Sequence, residues 1–341
     1  MIWLTWRQFR AQAVAAAAVL VLIAALLAVT APALYSLYHS SGLADCQRCA
    51  GAAGTFTSQL RFTFDSTVYN VLAAALYGGP ALIGMFWGAP LVARELETGT
   101  VRLAWNQSVT RTRWMLTKVG LGALGAMAAV GLLSLLAALW SRPVSAAAAA
   151  GSPSLGFGRL APVAFGASGV TPVAYAAFAF ALGVLAGVLI RRSIPAMAVT
   201  LAVFGGMLIS WTKWVRPHLL PARMASVPLI SGNGQPFNEL MISGGHTVTV
   251  VGTWAQPGAW LLSNQTVTAS GRPFTGPAAQ ACTTGSMQAC TRWLASLHLR
   301  QLITYQPASR YWPLQWEEAG LFLLMAILLT GLSVWWIRRR S

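Results

Sequence analysis

Acidic residues are scarce in this chain: seven among 341, against 23 basic ones, and Asp45 and Asp65 are the only aspartates. Lysine is rare too, with Lys118 and Lys213 the whole supply. Charged residues make up 9% of the chain, where a soluble domain carries about a quarter. That shortage excludes an ordinary soluble domain. The four histidines (His39, His218, His246 and His298) are scattered and offer no metal-ligand spacing. No Ser, His and Asp set occurs in a recognisable context, and no G-x-x-x-x-G-K-[ST] run offers backbone N–H groups and a lysine to phosphates. Gly120-x-Gly122-x-x-Gly125 spells a dinucleotide fingerprint, but inside an apolar run, with no strand before it and no acid after it. It fits helix packing instead. No catalytic residue, no metal site and no cofactor is expected.

What the chain has in quantity is apolar: 56% of residues are hydrophobic and the mean hydropathy is +0.60. About 20 apolar residues cross a bilayer, and six segments qualify, at 13–34, 70–93, 115–140, 171–190, 194–212 and 319–337. The fold class is therefore an all-α polytopic membrane protein with six transmembrane helices. Ahead of the first span, residues 1–12 place Ile2, Trp6 and Phe9 on one helical face and Arg7, Gln8 and Arg10 elsewhere. That pattern predicts an amphipathic helix lying in the membrane interface. The apolar run that follows exceeds the roughly 7–15 residues of a signal-peptide core.

Six spans put both termini on one side. Arg7, Arg10, Arg94, Arg102, Arg111, Arg113, Lys118, Arg191, Arg192 and Arg338 to Arg340 all fall there, close to span ends. The other basic residues are spread through the long segments opposite. Short basic loops stay in the cytoplasm, so both termini are expected there, in a cell membrane. Orientation explains the net charge of +16, and no nucleic-acid partner is expected because no single aromatic-lined face gathers the arginines.

On the outer side, residues 213–317 are long enough for a small α+β extracellular domain, leaving 318–341 as the sixth helix and a basic tail. Thr247–Val251 and Gln265–Ala269 alternate as strands do, and Met287 to Tyr305 has the spacing of a helix. All four cysteines fall outside as well: Cys46, Cys49, Cys282 and Cys290. An even count on an oxidising face favours two disulfides, with the pairing open; one option ties the first outer loop to the large domain. A four-thiolate zinc site is the weaker alternative, since C-x7-C matches its spacing poorly. Glu317 and Glu318 fit carboxylates at the start of the sixth helix, or charges at the outer mouth of a pathway. Gly84-x-x-x-Gly88 and Gly183-x-x-x-Gly187 let helices approach closely, within one chain or between two.

One stretch stands apart. Residues 94–114 lie between the second and third spans and contain Glu95 and Glu97, two of the seven acids. The positive-inside effect explains the arginines of this stretch but not these glutamates. Two positions apart, they would not share a helical face; a bend near Gly99 would bring them together. The order Glu97-x-Gly99-Thr100, then Arg102, then Val109-Thr110-Arg111 with Lys118 beyond, resembles permeases of ABC-2 type exporters. Ser108 stands where that family often has Pro. M-I-W-L-T-W-R-Q at the start, R-R-S-I-P-A-M-A-V-T-L at 191–201 and Y-Q-P-A-S-R-Y-W-P at 305–313 resemble a subgroup from high-GC Gram-positive bacteria. The resemblance implies an exporter subunit within 13–212 and the sixth helix. Its 94–114 loop would couple, through Glu95, Glu97, Gly99, Thr100, Arg102 and Arg111, to separate ABC ATPase subunits. It also implies a second permease chain as partner in the bilayer, and a hydrophobic or amphipathic substrate. The rival function is a membrane-anchored extracellular sensor or binding protein without transport.

Overall fold

The computed structural model describes residues 2–46, 50–98, 111–150, 158–229, 239–243, 247–252, 254, 256–277, 282 and 286–340. Six helical stretches among them are long and apolar enough to cross a membrane: Phe9–Ser40, Phe64–Glu97, Thr112–Trp140, Thr171–Ile190, Ser193–His218 and Ala308–Arg339. These contain the six segments expected from the apolar runs, mostly extended by several residues.

Helix α1 runs unbroken from Ile2 to Ser40. Residues 1–12 were expected to form a separate interfacial helix; in the structure residues 2–12 continue directly into the first span. The reason is local: no Gly or Pro occurs between Ile2 and Ala31, and the run is rich in alanine, the strongest helix former. After α2 (Ala50–Leu60), the second span is built from α3 (Phe64–Ile83), a π-helical turn at Gly84–Gly88 and α4 (Ala89–Thr98). Then come α5 (Arg111–Trp140), α6 (Arg142–Ala149), α7 (Pro162–Gly166), α8 (Thr171–Ile190) and α9 (Ser193–Ser210). The turn joining α8 to α9 is tight because Arg191 adopts a left-handed conformation, φ 58°, at the helix end. A π turn at Trp211–Val215 and a 3-10 turn at Arg216–His218 carry the fifth span onward.

Leu220–Arg310 forms the second of two compact units, narrower than the expected 213–317 because Trp211–His218 and the residues from Tyr311 belong to helical spans. Its elements are β1 (Arg223–Pro228), β2 (Glu239–Ser243), β3 (Thr247–Val251), β4 (Trp260–Val267), β5 (Gly276–Pro277), α10 (Met287–Ser296) and β6 (Arg300–Gln306). Two antiparallel sheets result, in the orders β1-β6-β4 and β2-β3-β5. The helix expected over Met287 to Tyr305 thus ends at Ser296. His298, at φ 47°, turns the chain, and β6 becomes the central strand of its sheet. Ile303, Thr304 and Tyr305 favour a pleated surface, and Gln301 and Ile303 alternate inward. Cys282 bonds to Cys290 within this unit. Cys46 is also disulfide-bonded, and Cys49 lies outside the described residues. The pairing that ties the first outer loop to the large domain through Cys282 or Cys290 is therefore not formed, and bonded sulfurs displace the zinc alternative.

Helix α11 (Tyr311–Arg340) returns to the first unit. There α8 is the axis: 83% of its apolar window is buried, against 11% for α1. Its small residues allow this. A methyl built on Gly84 would lie 2.5 Å from the Ala179 carbonyl oxygen, and one on Gly88 2.5 Å from that of Phe180. Methyls on Gly183 and Gly187 would run into the carbonyl oxygens of Gly84 and Ala89. The two glycine pairs thus meet each other within one chain, and side-chain-free backbone is what lets the π turn lie against α8. Aromatic rings fill the other flank of α8: Tyr175 and Phe178 pack edge-on against Phe322 at 4.7 and 5.3 Å.

Candidate functional site

Polar side chains gather at both ends of the helical unit. The proximal junction lies where α4 ends, α5 begins and α8 turns into α9. Glu95 on α4 is ion-paired with Lys118 on α5, with side chains 20% and 4% exposed. The Lys118 ammonium also sits 4.7 Å over the Trp114 ring. Glu97, two residues further along α4, bonds to a different helix. Its Oε2 accepts from the Ser193 hydroxyl at 2.9 Å and from the Ser193 backbone N–H at 3.3 Å. A carboxylate there satisfies an orphan donor of the first turn of α9 and lies at the positive end of its dipole. The two glutamates therefore do not converge: α4 is helical through both, and each fastens a separate neighbour. Gly99, Thr100 and Arg102 lie outside the described residues, and Arg111 opens α5 with its side chain outside them.

The distal junction is the one that composition and motif did not reveal. Arg216, in the 3-10 turn after α9, is fully buried. Its Nε donates to Glu318 Oε2 at 2.8 Å and its Nη2 to Glu318 Oε1 at 2.8 Å, a bidentate pair. Nη2 also donates to the Tyr175 hydroxyl at 2.9 Å, and Nη1 to the Pro162 carbonyl at 2.7 Å. The Tyr175 hydroxyl donates in turn to Glu318, and the guanidinium lies 4.8 Å over the Phe165 ring. Tyr77, from α3, donates to the Pro162 and Val163 carbonyls at 3.1 Å each. Four spanning stretches and α7 thus converge on one buried pair.

A second knot lies beside it. Gln315 Oε1 accepts from the backbone N–H groups of Val170 and Thr171 at 3.1 Å each and from the Thr171 hydroxyl at 2.5 Å. Its Nε2 donates to the Phe165 carbonyl at 2.9 Å. Residues 158–170, featureless in sequence, are thereby pinned to the start of α11. Glu318 sits two turns inside that helix, because α11 begins at Tyr311. It is neither a first-turn carboxylate nor a solvated mouth charge, whereas Glu317 is exposed. Burying two charges so completely is tolerated only when each lone pair and proton is matched, and here each oxygen of Glu318 has a donor.

These features define a multi-pass membrane protein built around one central helix and fastened by polar junctions at both ends. A family model described as ABC-2 membrane transporter related matches residues 17–216. That match covers more than half the chain, and the chain belongs to this family: it is the membrane component, the permease, of an ABC transporter, a class that works with ABC ATPase subunits. No curated protein and no solved structure matches it. The matched region runs from within the first span to Arg216, near the end of the fifth.

Proposed function

We propose that this permease belongs to an exporter, that both its termini are cytoplasmic, and that residues 94–114 are its contact with separate ATPase subunits. It would pair with a second permease chain, as a homodimer or heterodimer, and move a hydrophobic or amphipathic substrate outward. The observation that carries this is the double fastening of the proximal junction. Glu95 holds α5 through Lys118, and Glu97 holds the start of α9 through Ser193. The helix ends on either side of residues 99–110 are thus tied to each other, and α4 is tied also to the start of α9. A displacement imposed there by an ATPase is delivered to three spans at once.

The orientation rests on the basic residues around the proximal junction, including Arg191, Arg192, Arg338 and Arg339. Support for an apolar cargo comes from a cavity of about 480 Å³ between α5, α8 and α11, lined by side chains such as Leu116, Met127, Phe180 and Ile327. Arg102→Glu tests the contact. The variant permease should reach the membrane with unchanged thermal stability yet fail to copurify with its ATPase and lose substrate-stimulated ATP hydrolysis. Normal copurification and hydrolysis would sink the assignment of this loop.

A further inference from the structure

A cavity of about 170 Å³ opens at the distal end of the helical unit, bounded by α3, α5, α6, the segment after Gly158 and the start of α11. Leu72, Leu76, Ala137 and Val144 line its apolar side. The polar side carries Arg159, Ser141 and Ser145 along with Tyr69, Ser168 and Tyr311. Two of the lining hydroxyls are already committed: Ser134 donates to the Gly169 carbonyl at 2.9 Å, and Ser168 donates to that of Phe165 at 3.1 Å. Tyr311 is 3.0 Å from the Ser168 hydroxyl. Among the described residues, Ser141 and Ser145 make no side-chain hydrogen bond. They stand one helical turn apart and so share a face.

Arg159, three residues before α7, differs from Arg216. Arg216 is paired with a buried carboxylate, whereas Arg159 is exposed and has no carboxylate partner among the described residues. What holds it is the Tyr311 ring, 5.6 Å from the guanidinium. Among the described residues, no acidic side chain lines the cavity. The unspent groups are therefore all donors, one of them cationic, set against an apolar wall with Trp312 beside it.

We infer that this cavity binds the phosphate group of an anionic amphiphile, with Arg159, Ser141 and Ser145 as its donors. Guanidinium and hydroxyls suit an oxyanion that only accepts hydrogen bonds. A water occupies about 30 Å³, so the cavity holds a phosphate and a short polyol but not acyl chains. The chains would run along the apolar faces of α3 and α5 in the bilayer. A choline group would meet no carboxylate here, so phosphatidylglycerol should be preferred to phosphatidylcholine. Binding does not depend on the coupling role of residues 94–114; the proposed orientation only decides that the leaflet is the outer one.

Native mass spectrometry of the full chain with equal amounts of the two lipids tests this. The expected result is about fivefold preference for phosphatidylglycerol, the scale of one partly exposed charge contact, since both lipids offer a phosphate and only choline adds a cation beside Arg159. Arg159→Gln should abolish the preference, Ser141→Ala with Ser145→Ala should reduce it, and Arg61→Gln, an exposed arginine outside the cavity, should leave it intact. Wild-type protein with no preference, or a preference retained in a monodisperse Arg159→Gln variant, overturns the proposal. Excess inorganic phosphate separates two supporting outcomes: displacement of the lipid makes the free anion a ligand, and persistence makes the lipid head group the ligand.

Discussion

The two polar junctions use the same chemistry under opposite conditions. At the proximal end, Glu95 and Lys118 lie 23 residues apart in the chain, and Glu95 keeps 20% of its side chain exposed. At the distal end, Arg216 and Glu318 lie 102 residues apart and their side chains are 1% and 0% exposed. Water can partly replace a lost partner at the first and not at the second. The proximal junction is thus suited to a place where another protein attaches and forces act. The distal junction is suited to a fixed closure, binding α3, α7, α8, α11 and the end of the fifth span. A permease driven from one end needs such a difference, since a displacement at one end does work only if the helices are held together elsewhere.

The sharpest way to break this comparison is Arg216→Met. It leaves Glu318 buried with an unpaired charge, a situation that costs about 3–5 kcal/mol. Thermal unfolding of the purified variant should shift far down, or the protein should fail to emerge monodisperse. Adding Glu318→Leu should recover much of the loss, because a matched apolar pair removes the orphan charge. If Arg216→Met melts like wild type, the distal junction is no closure.

Between the two ends lies the glycine seam. Gly183→Val should cost about 3 kcal/mol, the upper part of the overpacking range, because the obstacle is the Gly84 backbone and not a movable side chain. Gly120→Ala is the internal control. Nothing lies within 4 Å of a methyl added there, so its melting temperature should stay close to wild type.

Much of this was legible in the chain and the rest was hidden for physical reasons. Long apolar runs announce spans by length alone, so the six helices could be placed, and the four glycines of the seam stood at i, i+4 spacing. The proximal junction announced itself because Glu95 and Glu97 are acids in a chain that has seven. Their partners did not: Ser193 is 96 residues from Glu97 and carries no charge. Arg216 and Glu318 each look like an ordinary charge at a helix end, and only the pairing of the fifth span with α11 brings them together. A clue existed, since a helix started at Tyr311 puts Glu318 two turns deep among apolar residues. In the second unit, the helical spacing of Trp293, Leu294 and Leu297 masked the break. His298 takes a left-handed turn that a non-glycine residue seldom advertises, so β6 was merged into α10.

Lys118→Met measures the proximal side of the comparison directly. It removes one partner of Glu95 and leaves that carboxylate within reach of water, so the loss should be about 1–2 kcal/mol, well below that of Arg216→Met. A cost equal to the distal one would mean that both ends are sealed alike. ATPase copurification measured on the same variant should weaken by more than the stability change predicts, since the Glu95–Lys118 tie between α4 and α5 would be lost.

Among the changes at the two junctions, Glu97→Gln should have the smallest effect. The amide oxygen still accepts from the Ser193 hydroxyl and backbone N–H, so the geometry of the cap survives while its charge is lost. What disappears is the attraction between a carboxylate and the positive end of α9, about 0.5 kcal/mol at an exposed site. That interaction is screened by salt, so the difference between Gln and wild type should shrink as ionic strength rises, in a melting series from low to high salt. The Arg216→Met deficit should not shrink, because salt does not reach a pair this deeply buried. A salt-insensitive Glu97 effect would place its role in packing and not in electrostatics.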